Sequence, residues 1–303
     1  MNDTVVALIA ERRHLGNRAL ANARSAFELA GCRVELVVPN GDRPFELSAT
    51  APSWDIALSR GRDLAGLGLL AAAAALGVPT VNTPRAIELV RNKVAMHAIL
   101  QRYDVPLPRT WFATHPDAFR RLPEDHFPIV VKPHDGDGAQ GLVLLSRPDD
   151  VDLVPVSAGR SEAPKRVLYL AQQFLALDGW DLKLYGIGRD VWAVRKPSPV
   201  VFDGPGPARF QATDGAELVP LDARLLDLGL TCGRACGLEL WGVDVGVTRE
   251  GPYVIEVNDF PTYSAVPEAG EAIARHTLAL LEFHRVTRDI GHDRLGRLIR
   301  VPA

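Results

Sequence analysis

Ile129-Val-Val-Lys-Pro-His-Asp-Gly-Asp-Gly-Ala-Gln-Gly-Leu142 is the stretch whose reading decides the fold. It contains Gly136-x-Gly138-x-x-Gly141 directly after an apolar run. That spacing would open a dinucleotide-binding βαβ unit only if a helix came next. Leu142-Val-Leu-Leu-Ser146 is instead a second apolar strand, so the glycines join the two arms of a hairpin. A loop this rich in glycine lets backbone N–H groups close over phosphates, because no Cβ keeps them away. Lys132, at the end of the first arm, adds a fixed positive charge. Taken alone, such a loop reads equally well as a plain hairpin connection.

A second stretch near the C-terminus changes that balance. Gly242-Val-Asp244 is followed by Tyr253-Val-Ile-Glu256-Val-Asn258. Side chains two apart on a strand point the same way, so Glu256 and Asn258 share a face. If the strand of Asp244 pairs with theirs, three oxygen donors converge among apolar neighbours. Buried carboxylates need partners, and Mg²⁺ coordination would satisfy them. The competing reading is a pair of carboxylates bonded to nearby Arg or Lys.

Further out, the first eighty residues alternate between strand and helix signals. Strands are expected at Val5 to Ala10, Val34 to Val38, Asp55 to Ser59 and Pro79 to Asn82, with a helix from about Asn17 to Ala30 closed by Gly31. Such alternation makes a small open parallel sheet with helices on its faces. No glycine fingerprint comes after the first strand, which argues against a nucleotide site there. Beyond Thr83 come two short helices, beginning at Pro84 and Lys93, and then a succession of strands. Ser198 to Asp214 is a proline- and glycine-rich loop too long to be neutral padding. A helix (Leu221 to Gly237), two strands (Leu240 to Val247, Tyr253 to Val257) and a helix from about Pro267 to Phe283 complete the chain. The expected organisation is an N-terminal α/β domain over 1–83, a central lobe with the hairpin over 84–175, and a C-terminal lobe with the acidic site over 176–303.

Bulk composition bounds the function. The 303 residues are 47% hydrophobic and 23% charged, the balance of an ordinary globular protein. A formal net charge of −3 provides no global basic field, and no basic-aromatic surface pattern is visible, so nucleic-acid binding is not expected. The basic stretch Arg285 to Arg300 reads as a solvated helix or arm. The uncharged run Leu64 to Val81 is mostly Ala and Gly and contains Pro79, which fits a buried helix running into a strand better than a membrane span. The N-terminus lacks a basic n-region, so a cytoplasmic protein is expected. Cys232 and Cys236 lie one helical turn apart, and core packing explains them better than a zinc half-site.

Lys93, the Lys132 hairpin, Gln172-Gln-Phe-Leu175, Asp244 and Glu256-x-Asn258 stand in the order and rough spacing of ATP-grasp enzymes. Over roughly Thr83 to Ala269 the chain is most similar to the ribosomal-protein glutamate ligases and their relatives. The resemblance implies an ATP-grasp fold of mixed α/β and α+β class. Two α+β lobes would sandwich ATP, preceded by a small parallel-sheet domain that closes the acceptor side. It implies that Lys93 and Lys132 hold phosphates beneath the Gly136, Gly138 and Gly141 loop. Gln172, Gln173, Phe174 and Leu175 would form the hinge at the adenine edge. Asp178 or Asp181 would take the ribose, with Asp178 favoured, and Lys183 would join the nucleotide-binding set. Arg195 or Lys196 would contact the transferred γ-phosphate. Asp244, Glu256 and Asn258 would hold one or two Mg²⁺ ions, with Mn²⁺ as a substitute. His134 would either reach the acceptor or stand exposed.

Two reaction classes fit such a site. A ligase phosphorylates a carboxylate and lets an amine capture the acyl phosphate; a kinase phosphorylates a hydroxyl. The ligase is the expected activity, acting on a small-molecule or peptide acceptor, with a homodimer as a compatible assembly. Two departures favour the alternative. The Arg-Ser-Asn segment usual in glutamate ligases is replaced by Ser198-Pro-Val-Val-Phe-Asp-Gly-Pro-Gly-Pro-Ala-Arg-Phe210. Asp181-Leu-Lys-Leu-Tyr185, Arg195-Lys-Pro-Ser198 and Asn258-Asp-Phe-Pro-Thr-Tyr263 also resemble segments of ATP-grasp inositol polyphosphate kinases. A polyphosphate substrate would need a strongly basic pocket, for which Lys183, Arg195, Lys196 and Arg209 are the candidates.

Overall fold

The structure is a computed structural model that describes residues 4–39, 46, 53–61, 63–134, 141–155, 168–177, 179–211, 213 and 215–298, with side chains to 287. The N-terminal unit holds β1 (Val5–Ala10), α1 (Arg18–Leu29), β2 (Arg33–Val37), β3 (Ile56–Arg60), α2 (Leu64–Ala75) and β4 (Thr80–Val81). Its strands form a parallel sheet in the order β2-β1-β3-β4. Both central strands are buried along their whole length, as expected when helices cover both faces. The helices begin where the chain supplies a cap: Asn17 accepts from the Leu20 amide at 2.9 Å and Asp63 from the Gly66 amide at 2.6 Å.

Next come α3 (Pro84–Arg91) and α4 (Lys93–Gln101), capped by Thr83 and Asn92. A five-stranded antiparallel sheet comes after them, built from β5 (Thr110–Ala113), β6 (Ile129–Pro133), β7 (Val143–Leu145) and β8 (Tyr169–Gln173), with a fifth strand added from later in the chain. The second five-stranded sheet takes β9 (Trp180–Ile187) and β10 (Asp190–Pro197). Between these and the rest of that sheet lie the short strands β11 (Val200–Val201), β12 (Gly206–Pro207) and β13 (Arg209–Phe210), of which β12 completes the central sheet. Then come β14 (Glu217–Val219), α5 (Ala223–Cys236), β15 (Leu240–Thr248), β16 (Gly251–Asp259) and α6 (Ala269–Leu298). The sheet order is β14-β10-β9-β15-β16. Gly237 ends α5 at φ 67°, a left-handed cap that glycine adopts without strain.

Packing shows which elements belong together. Ala86, Val90, Met96 and Leu100 of α3 and α4 join the core of the C-terminal sheet, with Leu184, Trp241, Val243 and Val257. The central sheet keeps its own core of Ile129, Val131, Val143, Leu145, Tyr169 and Ala171. The final helix returns to the N-terminal unit: a Cβ built on Gly270 would lie 2.3 Å from Cβ of Asn22 on α1.

Two expectations need correction. The helix expected to end near Phe283 runs on to Leu298, so the basic stretch is helix; Arg285 donates to Asp55 at 2.8 Å and Thr4 at 3.3 Å, so its charge is used in docking that helix. The 198–214 loop contains three two-residue strands, since its prolines and glycines hide a pairing that lies far away in sequence. The uncharged 64–81 run is α2 followed by β4, and no helix among the described residues is long and apolar enough to cross a membrane.

Candidate active site

The register of the C-terminal sheet assembles the acidic cluster. Asp244 stands opposite Glu256, and Gly242 opposite Asn258. On the other side of β15, Asp244 is paired with Lys183 of β9. Directly opposed residues in an antiparallel sheet project to one face, so Asp244, Glu256, Asn258 and Lys183 share a surface. Asp181 and Tyr185 lie on the same surface by the two-residue period, and Lys196 of β10 is opposite Asp181. At the Asp244/Val245 step the register slips by one, leaving Ile255 as the extra residue of a β-bulge that bends β16 beside Glu256. The opposite face carries Leu184, Val243, Val245 and Val257 into the core against α5.

Cations arrive from three directions. Lys93, on the first turn of α4, is buried and its Nζ lies 3.5 Å from Oε1 of Glu256. Lys183 donates to Oδ1 of Asp244. Burial works against its charge, but the Asp244 carboxylate outweighs that and raises its pKa above the ordinary value. Lys132 comes across the cleft from β6. Burial pulls its pKa down, with Glu256 and Asp244 acting against that and Lys93 adding to it. Lys196 is likewise lowered, first by burial and then by Lys183. Three carboxylates (Asp181, Asp244 and Glu256) and four ammonium groups thus crowd one cleft, and two of the ammonium groups are held where being charged is unfavourable. Such a cleft lacks anions, and phosphate groups would supply them.

The expected residues do not all converge. Arg195 and Lys196 are neighbours on one strand and therefore point to opposite faces. Arg195 lies on the far face: its guanidinium pairs with Glu217 at 2.5 Å and sits 4.4 Å over the Trp180 ring. Gln172 shares the cleft side of the central sheet with Lys132, but its Nε2 donates to Thr110 Oγ1 at 3.3 Å. Gln173 is exposed, and its Oε1 accepts from the Arg109 amide at 3.5 Å. Phe174 bonds back to the central lobe through its amide and the Pro128 carbonyl at 3.0 Å. Leu175 packs beside Leu177 and Ile255 over Gly246, forming an apolar wall after β8. Gly141 lies next to Pro133 at φ 75°. Gly136, Gly138 and Asp178 lie outside the described residues.

Several site residues carry no sequence motif of their own. His97 is four residues after Lys93 on the same helical face, and its pKa is lowered by burial and by Lys132. Tyr185 is two residues after Lys183; burial raises its pKa, and its hydroxyl interacts with Thr262. Arg91 pairs with Asp259 at 3.3 Å and also donates to the Gly61 carbonyl. Arg60, buried at the end of β3, donates to the carbonyls of Phe260 and Pro261, the latter at 2.7 Å. The helical and strand periods could have drawn attention to His97 and Tyr185. Nothing local announces Arg60 or Arg91, whose partners Pro261 and Asp259 are 201 and 168 residues away.

No group of three or more His, Cys, Asp or Glu side chains capable of holding a metal occurs among the described residues. The acidic face offers two carboxylates and an amide. All three are oxygen donors on one surface, the ligand type that hard divalent cations such as Mg²⁺ take, with water and phosphate oxygens completing the shell.

Comparison with known proteins agrees with this geometry. The family model for the RimK-like ATP-grasp domain matches residues 90–280. A probable alpha-L-glutamate ligase of Vibrio vulnificus (strain YJ016) is 27% identical over 197 residues, 64% of each chain, so the match spans just under two thirds of that relative's length. A probable alpha-L-glutamate ligase of Legionella pneumophila (strain Corby) is 26% identical over 280 residues, 87% of this chain and 90% of the relative. Among solved structures, the RimK domain ATP-grasp protein of Sphaerobacter thermophilus superposes with a TM-score of 0.70 at 23% identity, covering 91% of this chain and all of that one. The ATP-grasp ligase PsnB, complexed with a minimal precursor, Mg and ADP, superposes with a TM-score of 0.65 at 16% identity, covering 91% and 97%. With an N-terminal parallel sheet, two antiparallel sheets facing across a cationic cleft and the family match over 90–280, this chain belongs to the RimK-like ATP-grasp domain family.

Proposed function

We propose that this protein is an ATP-dependent carboxylate–amine ligase. It would bind Mg-ATP in the interlobe cleft, transfer the γ-phosphoryl group to an acceptor carboxylate, and release ADP. An amine then displaces phosphate from the acyl phosphate, forming an amide and free phosphate. The observation that carries this reading is the single face holding Asp244, Glu256 and Asn258, ringed by Lys93, Lys132, Lys183 and Lys196.

Each group has a physical task. Asp244, Glu256 and Asn258 would hold Mg²⁺, which when bound would neutralise phosphate charge. Lys132 and Lys93 would orient the nucleotide phosphates from the central lobe and from α4. Lys183 and Lys196 lie beyond the carboxylates, where the acceptor and the transferred group would meet. Leu175, Leu177 and Ile255 would cover the adenine and exclude water. Binding phosphate would also relieve Lys132 and Lys196 of the unfavourable burial of their charge. Lys196, on the cleft face, is the γ-phosphate candidate of the Arg195/Lys196 pair.

The kinase reading asks for a strongly basic acceptor pocket. Arg195 lies on the other face of the sheet, and Arg209 is engaged by Asp203 at 2.8 Å. That leaves Lys183 and Lys196 of the four candidates. The glutamate-ligase relatives and the PsnB likeness also support the ligase.

The test is ATP consumption by the pure protein with Mg²⁺ against mixtures of amino acids, small peptides and polyols, read by mass spectrometry with a free-phosphate assay. A condensation product, with loss of water and free phosphate, is the expected result. A phosphorylated product with ADP and no free phosphate would replace the ligase with a kinase.

A further inference from the structure

The segment that departs from the glutamate ligases does not stay with the lobe it leaves. It starts at the end of β10, two residues after Lys196, and its first amide, Ser198, donates to the Gly179 carbonyl at the far end of the hinge at 2.8 Å. Phe202 then sets its ring against Phe174 at the near end of the hinge, edge to face, with centroids 6.0 Å apart. β11 and β13 pair as a miniature ribbon, Val200 with Phe210 and Val201 with Arg209. The tip of that ribbon crosses to the central lobe. Gly206 and Pro207 pair with Leu144 and Val143, and the Ala208 amide donates to the Leu142 carbonyl at 2.8 Å. β12 is thus the outermost strand of the central sheet, although it comes from the chain of the C-terminal lobe.

An edge strand such as β7 would otherwise present open backbone groups. β7 is also the arm that leaves the glycine-rich loop. β12 therefore ties the central sheet to the C-terminal lobe in addition to the covalent hinge, the packing of α3 and α4 in the C-terminal core, and the Val254 amide donating to the Pro106 carbonyl. An added attachment on the opposite edge of the central sheet from β5 and β8 restricts its rotation against the acidic face. It also fixes how closely Lys132, on β6 beside β7, approaches Glu256 and Asp244.

The tip has its own local fastening. Arg209 holds Asp203 through two hydrogen bonds, Nε at 2.8 Å and Nη2 at 3.2 Å, closing the turn that carries β12. Gly206 has φ 128°, a conformation that L side chains rarely adopt, yet no atom lies within 4 Å of where its Cβ would stand. The requirement for glycine there is conformational and not spatial.

We propose that residues 198–211 form an interlobe clasp, with Gly206 and the Asp203–Arg209 pair as positioning residues that set the closed spacing of the phosphate-binding cleft. This rests on the nucleotide reading of that cleft. Neither Gly206 nor the ion pair belongs to the acidic face, so their effect passes through β7 and β6 to Lys132. The clasp also explains why a loop of this length begins at the end of β10: it must span both ends of the hinge before reaching β7.

The test compares wild type, Gly206→Val, Arg209→Asp and the charge swap Asp203→Arg with Arg209→Asp. Mg-ATP affinity is measured by titration calorimetry, amide exchange is followed at Leu144 and Ala208, and a thermal scan confirms that each variant is folded. Gly206→Val is expected to weaken Mg-ATP binding by about fivefold to tenfold, the factor that one net backbone hydrogen bond commands. Exchange at both amides should rise while the thermal midpoint stays close to wild type. Arg209→Asp, at an exposed ion pair, should weaken binding about twofold to fivefold, and the swap should recover most of that loss. A merely structural loop would lower the midpoint without changing affinity. Unchanged affinity in Gly206→Val despite faster exchange overturns the clasp, as does a swap no better than Arg209→Asp. If wild type itself binds no Mg-ATP, the nucleotide reading fails, and the clasp's positioning role falls with it. The wild-type titration therefore separates the two failures.

Discussion

Lys183 of β9 stands directly opposite Asp244 of β15 and donates to its Oδ1. One strand further on, Glu256 faces Asp244 and is met by Lys93, 3.5 Å away. Each carboxylate of the acidic face thus has its own lysine, supplied by a different element. This pairing satisfies the competing reading of the sequence, carboxylates bonded to lysine, and the two readings are compatible. Lysines that neutralise the carboxylates without a ligand are the groups that phosphate would take over.

The first prediction comes from that exchange of partners. The ligand-free fold should not depend on divalent metal, so EDTA is expected to leave its thermal midpoint unchanged. Glu256→Gln with Asn258→Ala should lower Mg-ATP turnover by at least about a hundredfold while circular dichroism stays native. Lys132→Ala should weaken Mg-ATP binding about tenfold or more. Retained turnover in the double variant would remove the metal role.

Adjacent residues on β10 provide a sharper contrast. Lys196→Ala should reduce turnover by about tenfold to a hundredfold, since it deletes a cation from the cleft. Arg195→Ala removes only an exposed ion pair with Glu217 and a stack on Trp180, worth about 1 kcal/mol or less in stability, and should leave turnover within about twofold. Steady-state assays of the two variants side by side decide it, and equal losses would reject the assignment by strand face.

Trp241 is fully buried, and it fits only because glycines surround its ring. A Cβ on Gly186 would lie 2.0 Å from Trp241 Cε2, and one on Gly233 2.5 Å from Nε1. Gly186→Ala should therefore destabilise by about 3 kcal/mol or more in urea unfolding, as overpacking of a rigid aromatic site does. A shift under about 1 kcal/mol would mean that the sheet relaxes freely around the indole.

The two cysteines of α5 make stability sensitive to alkali. Burial pushes Cys236 up to about 12, and Cys232 rises further, with Cys236 adding to the effect of burial. The folded protein therefore keeps protons that the unfolded chain releases. Their contribution is fully present below the ordinary thiol pKa of about 8.5 and is lost as pH rises toward the folded value. The urea midpoint should fall between about pH 9 and 11, and the slope should be shallower in Cys232→Ala with Cys236→Ala. Identical slopes would show that other groups dominate.

Much of the fold was legible because its signals are local. The apolar arms of β6 and β7 around the glycine run, the helix stop at Gly31 and the two-residue spacing of Glu256 and Asn258 each sit within a few residues. The order of Lys93, Lys132, Asp244 and Glu256 along the chain was enough to identify the family, because a shared fold keeps functional residues in sequence order.

What the tertiary structure alone decided is the pairing of distant elements. The sequence could place Arg195 and Lys196 on a strand but not say which face is the cleft, since that depends on where α5 packs. It could mark residues 198–214 as a costly loop but not find β7 as the partner of β12, since a two-residue strand has no period to read. Arg60 and Arg91 were silent for the same reason: their carbonyl and carboxylate partners come from the end of β16, the turn after it and the residue following β3. Residue type and local spacing determine which elements form and which chemistry they can carry. Burial and hydrogen-bond satisfaction across the whole chain determine which faces meet, and a single sequence does not state those long-range choices.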